Sequence, residues 1–127
     1  MSKKEKYVSP TFCVMPWINL SGEANGDFRL CCYDIYNEEE WSLWNIKNLE
    51  IKELRDSELM KRIRKYLLQW KKVSRCAECY KKEDIGADSN RIKMNSYYKR
   101  FIPDILNSTN IKTGNTTFFY LYLDIRF

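Results

Sequence analysis

The sequence has no histidine. That absence removes zinc sites with mixed cysteine and histidine ligands, and it removes Cys–His and Ser–His catalytic pairs. Any site for a soft metal must be built from thiolates, with a carboxylate as the remaining helper. Long apolar runs are missing as well. Met1-Ser2-Lys3-Lys4-Glu5-Lys6 leads into no signal-peptide core, and no stretch is long and apolar enough to span a bilayer. A cytoplasmic protein with no membrane partner is the expectation. Disulfides are rare in that reducing compartment, so clustered cysteines point to metal or redox chemistry. The sequons at Asn19, Asn107 and Asn115 are then chance matches.

With 127 residues there is room for one domain, or for one small domain with appendages. A core of that size gains from a staple. The candidates are five cysteines: Cys13, Cys31, Cys32, Cys76 and Cys79. The net charge is +5, with 22 basic and 17 acidic residues. Much of the excess lies between Lys61 and Lys82, but no nucleic-acid motif accompanies it, and we read it as the solvated face of a helix.

Residues 1–11 form a mobile basic leader in this reading. The segment from Phe12 to Leu20 is apolar, with Pro16 early enough to suit an edge strand. Ser21 to Gly26 has turn chemistry, and Phe28 and Leu30 then alternate with Asp27 and Arg29 at the period of a half-buried strand. A hairpin results, with Cys13 at the head of one strand and Cys31-Cys32 at the end of the other. Adjacent strand residues face opposite ways, so only one of Cys31 and Cys32 can join Cys13. Tyr33 to Asn48 is irregular, with Trp41 and Trp44 capping the core or forming a docking patch.

Leu49 to Leu54 suggests a short helical turn, and Asp56 or Ser57 an N-cap for a longer helix. Leu59, Ile63, Tyr66, Leu67 and Trp70 make its apolar stripe, with Lys61, Arg62, Arg64, Lys65, Lys71 and Lys72 on the other face. Cys76-Ala77-Glu78-Cys79 follows. Tyr80 to Leu106 is expected to be helical in pieces, interrupted at Gly86 and Pro103. Asn107 to Thr116 is a polar linker. Thr117 to Phe127 is a strand whose Leu121, Leu123, Ile125 and Phe127 share one side. It is either an edge strand of the existing sheet or, in the reading we prefer, an isolated strand where another domain begins.

The fold expectation is α+β: a small β-hairpin followed by helices. Residues 12–106 would be the cysteine-rich domain, 107–116 a linker and 117–127 the start of a further unit. Four thiolates from two separated pieces of chain suit either tetrahedral zinc or an iron–sulfur cluster. Two residues between Cys76 and Cys79 let both reach one centre. Phe12, Trp17, Phe28 and Tyr80 lie beside these cysteines and are placed to shield such a centre, or to serve as ordinary core. Cysteines buried as small hydrophobes are the plain alternative.

Cys13, twelve residues, Gly26, four residues, Cys31, a gap, then Cys76-x-x-Cys79 resembles the SPASM and shortened twitch domains of radical S-adenosylmethionine (radical SAM) proteins. The resemblance covers roughly residues 12 to 85. It implies that Cys13, Cys31, Cys76 and Cys79 hold one auxiliary 4Fe-4S cluster, with Cys32 as a spare or as an alternate to Cys31. A second cysteine group after Cys79 is missing, so twitch is the closer label. Residues 120–127 resemble the first strand of a radical SAM core, a partial TIM-like barrel. The Cys-x-x-x-Cys-x-x-Cys motif that would follow is not in this sequence. The implied function is an N-terminal, oxygen-sensitive cluster module that cannot cleave S-adenosylmethionine by itself. Its implied partners are a radical SAM core on the same or a separate chain and a peptide or protein substrate. Two rivals remain open. One is a structural zinc module binding protein or nucleic acid through its basic helix; the other is a metal-free interaction domain using Trp41, Trp44 and that face.

Overall fold

The computed structural model describes residues 9–22, 28–31, 50–118 and 122–125. Cys32, Trp41 and Trp44, and with them the roles expected of those residues, lie outside the described residues. The α+β expectation is met. A short helical turn, α1 (Met15–Ile18), runs straight into strand β1 (Asn19–Gly22), which pairs antiparallel with β2 (Phe28–Arg29). Helices α2 (Ile51–Arg55), α3 (Glu58–Leu68), α4 (Ala77–Asp84), α5 (Asn90–Tyr97) and α6 (Ile102–Ser108) follow. Single 3-10 turns at Ser74–Cys76 and Lys99–Phe101 lead into α4 and α6. Strand β3 (Tyr122–Ile125) closes the order.

Two expectations for the strands change. The first strand is short because Pro16 stands in the first turn of α1, where its missing N–H costs nothing and its fixed φ suits a helix. The last strand is not isolated. It pairs parallel with β1, Asn19 opposite Tyr122 and Gly22 opposite Ile125, giving the sheet order β2-β1-β3. A flanking strand supplies β1 with the backbone partners that its second edge needs. The sheet is also tied by Asn19, whose buried amide donates to Leu30 O at 3.2 Å and to Ser21 Oγ at 3.1 Å. An amide used in this way has no room for a glycan, in keeping with the chance-sequon reading.

Helix α3 begins where the sequence suggests, with Ser57 Oγ accepting from Met60 N at 3.2 Å. Its buried face is Met60, Ile63, Arg64 and Leu67, with Leu59 and Tyr66 only partly covered. The stripe is therefore rotated relative to expectation, and Arg64 belongs to the interior rather than to the charged face. Two backbone carbonyls make this tolerable. Arg64 Nε donates to Pro16 O at 3.0 Å and Nη2 to Arg55 O at 2.7 Å, the latter near the C-terminal end of α2. Burial, with the nearby Arg55 charge, pulls its pKa down to about 10. Arg64→Met should lower stability by about 2 kcal/mol, since both carbonyls lose a charged donor. Arg64→Lys should recover little, because one ammonium does not reproduce a planar fork. Urea unfolding of the three chains checks both.

Trp70 also leaves the stripe. The helix stops at Leu68, Trp70 takes φ +67°, and Lys71 N donates back to Tyr66 O at 2.9 Å, a Schellman closure with tryptophan where glycine is usual. Its side chain is consequently exposed.

Gly86, at φ +82°, interrupts the later helices as expected, but Pro103 does not. It lies in the first turn of α6, again the place where proline fits, and the break comes at the 3-10 turn before it.

Both expected tethers are partly folded. In the leader, Ser9 and Thr11 are buried, and both hydroxyls reach Leu67 O at the end of α3. In the linker, Asn110 N donates to Asn115 O at 2.8 Å, Thr109 bridges Thr116, and Gln69 Nε2 of the α3 end donates to Ile111 O at 2.9 Å. Trp17 fixes this loop from inside, its Nε1 donating to Thr109 Oγ1 at 2.9 Å.

Candidate functional site

Cys13 stands just before Val14, the N-cap of α1, and its sulfur accepts a hydrogen bond from the Met15 backbone N–H. Cys31 follows β2. The chain leaves strand geometry after Arg29, so the alternation used to divide Cys31 from Cys32 does not extend to Cys31. Cys76 ends the 3-10 turn and caps α4, and Cys79 lies in the first turn of α4. Three residues apart at a helix start, their side chains come from one face.

None of the four is in a disulfide and all four are buried. They occupy one region. Burial pushes the Cys13 thiol well above its ordinary range, and the charges of Cys76, Cys31 and Cys79 push it the same way, with the Met15 N–H opposing. Cys13, Cys31 and Cys76 share one buried core cluster, and Cys79 is near enough for its charge to act on Cys13. Among the described residues, no three cysteine, histidine, aspartate or glutamate side chains stand as ligands of one metal ion.

The surround is apolar. Phe12, Trp17, Phe28 and Tyr80 are buried in the same core as Cys13, Cys31 and Cys76, with the Phe12 and Trp17 rings 5.3 Å apart. The Tyr80 hydroxyl accepts from Val73 N at 3.4 Å, and burial, then Cys76, raise its pKa. Low polarity around thiolates strengthens every charge interaction among them, so a positively charged guest would be held and unneutralised thiolates would be penalised.

Sequence reasoning missed a second group, which comes from α5. Arg91 and Asn95 stand four residues apart on one face of this helix, and both donate to Phe12 O, at 2.8 and 2.9 Å. Asn95 Oδ1 also accepts from Val14 N at 2.8 Å. Arg91 forms a two-pronged ion pair with Glu83 at the end of α4, and the fully buried Ser89 donates to Glu83 Oε2 at 2.6 Å while capping α5. The signal available was Ser89 as an N-cap ahead of Arg91 and Asn95; nothing in the sequence linked that helix face to Cys13.

Burial alone would raise the Glu83 pKa, but hydrogen bonds from Arg91 and Ser89 and the Arg91 charge hold it below the usual value. A carboxylate whose folded pKa is depressed adds stability above its unfolded pKa, about 4.3, and loses it as pH falls through the lower folded value. Stability measured by thermal melting should therefore fall below about pH 4.3, and Glu83→Gln should flatten that part of the curve.

The family model for SPASM, an iron-sulfur cluster-binding domain, matches residues 13–80, more than half of the chain. The chain belongs to the SPASM family. Its match begins at Cys13 and ends one residue after Cys79, so it encloses all four of the thiols described above. The SPASM segment is thus an iron–sulfur cluster-binding domain. No curated protein and no solved structure matches the chain. The donor set fits such a group: four buried thiols outside any disulfide, no imidazole, and an apolar wall. No helix among the described residues is long and apolar enough to cross a membrane.

Proposed function

We propose that Cys13, Cys31, Cys76 and Cys79 ligate one 4Fe-4S cluster, and that the chain serves as the N-terminal auxiliary module of a cytoplasmic radical SAM enzyme acting on a peptide or protein. The observation that carries the reading is the burial of four thiols, from the α1 side and the α4 side, within the SPASM segment. A cluster places iron and sulfide between its ligands, so it spreads four thiolates further apart than one tetrahedral zinc does.

When bound, the cluster supplies a one-electron acceptor or an anchor near the core's reaction. The chain's own residues do the rest. Met15 N–H directs a hydrogen bond at the Cys13 sulfur, the kind of contact that tunes a cluster. Phe12, Trp17, Phe28 and Tyr80 keep water from it. In this reading residues 12–106 form the cluster domain, and 117–127 lead towards the radical SAM core, on the same or a separate chain.

Four thiolates leave no open iron for a substrate amine or carboxylate. The reduced, reconstituted chain should give the electron paramagnetic resonance spectrum of one 4Fe-4S centre, unaltered by S-adenosylmethionine. A two-iron spectrum would overturn the cluster type, and a spectrum changed by S-adenosylmethionine would mean that one of the four cysteines is not a ligand.

A further inference from the structure

Helix α5 lies beyond the SPASM match, yet it holds the chain on both sides of Cys13. The Phe12 carbonyl accepts from Arg91 and Asn95, and the Val14 N–H donates to Asn95, so both neighbours of Cys13 are fixed by one helix face. Arg91 is nearly covered, with 12% of its side chain exposed, and its guanidinium spans the gap between Phe12 O and Glu83. Glu83 is on the same helix as Cys79. The Arg91 bridge therefore links the segment carrying Cys13 to the helix carrying Cys79, the two sides that must stay in register for one centre.

The charge arrangement adds to this. The cation side of the Arg91–Glu83 pair faces the Cys13 segment, and Cys13 and Arg91 act on each other electrostatically. Lys72 stacks on the Tyr80 ring and also reaches Glu83 with its charge, but the direct hydrogen bonds to Glu83 come from Arg91 and Ser89.

We propose that Arg91 and Asn95 are positioning residues of the cluster site, Asn95 locking the peptide groups around Cys13 and Arg91 setting both the Cys13-to-Cys79 register and the cluster's reduction potential. This rests on the cluster reading for the potential, though not for the lock. Reduction adds one electron and one negative charge to the thiolate-bound cluster, supplied by the external reductant of the titration. A neighbouring cation stabilises the reduced form, and a neighbouring anion opposes it.

Two arms on the full chain test the proposal. In metal-free protein, Asn95→Ala should speed hydrogen exchange at the Val14 amide roughly tenfold relative to the parent chain, the worth of one lost hydrogen bond. Unchanged Val14 exchange would overturn the lock whether or not a cluster ever binds. In the reconstituted protein, Arg91→Gln should lower the reduced-to-oxidised ratio about tenfold at fixed potential, a shift of about 59 mV for one electron. Glu83→Gln should move the potential the opposite way, because it leaves the Arg91 charge unopposed, and Arg91→Lys should stay near the parent value. A merely structural role would give no such opposite signs. Equal potentials in all four chains, or shifts of one sign, would overturn the tuning role. If Arg91→Gln does not fold, Glu83→Gln alone decides, since only an upward shift agrees. Failure of the cluster reading itself would show separately, as a parent chain without charge-transfer absorption.

Discussion

Changing Cys13 or Cys76 to serine should abolish the charge-transfer absorption of the chain after anaerobic reconstitution with iron and sulfide. Both residues are buried, neither is in a disulfide, and each stands on a different side of the site. Serine keeps the volume but offers a hard oxygen of high pKa in place of a soft thiolate, and iron–sulfur clusters are held by thiolates. The fold itself should survive, because one buried hydroxyl costs about 1–3 kcal/mol, part of which a nearby carbonyl can offset. Circular dichroism of the metal-free variants separates loss of ligand from loss of fold. Cys31→Ser and Cys32→Ser form the companion pair. With Cys31 as the ligand, the first removes the absorption and the second leaves it; the reverse result would exchange their roles.

The second large effect lies in the 109–116 loop. Gly114→Ala should destabilise the chain by about 3 kcal/mol, lowering the melting temperature by about 10 °C. Gly114 has φ +79°, and a Cβ there would stand 1.8 Å from the Lys61 carbonyl oxygen and 2.6 Å from its carbon. The obstacle is the backbone of α3, which cannot rotate aside. Gly86→Ala isolates the conformational part of the effect. Its φ is +82°, but nothing lies within 4 Å of the added carbon, so about 1 kcal/mol should be lost. Similar losses at the two glycines would mean that the 109–116 loop does not rest on α3.

What the sequence revealed was mostly local. Ser57 announced the start of α3 because a cap needs only one side chain and the amides beside it. Cys76 and Cys79 announced a shared face at the start of α4 because their spacing alone puts both there. Arg64 was misplaced because its burial depends on Pro16 and Arg55, carbonyls distant along the chain that only the packed fold brings to it. Pro16 misled for a related reason: proline suits both an edge strand and a first helical turn, and the turn of α1 is decided by its packing. The pairing of β3 with β1 spans most of the chain and has no local signal beyond apolar alternation. The Arg91–Asn95 grip was hidden because its targets are backbone groups of Phe12 and Val14, and any residues there would offer the same atoms.

The most direct test is the metal and acid-labile sulfide content of the chain isolated without air. A site built from Cys13, Cys31, Cys76 and Cys79 around a cluster predicts iron and sulfide in near-equal amounts, about four of each per chain, with little zinc. One equivalent of zinc with no sulfide would contradict it.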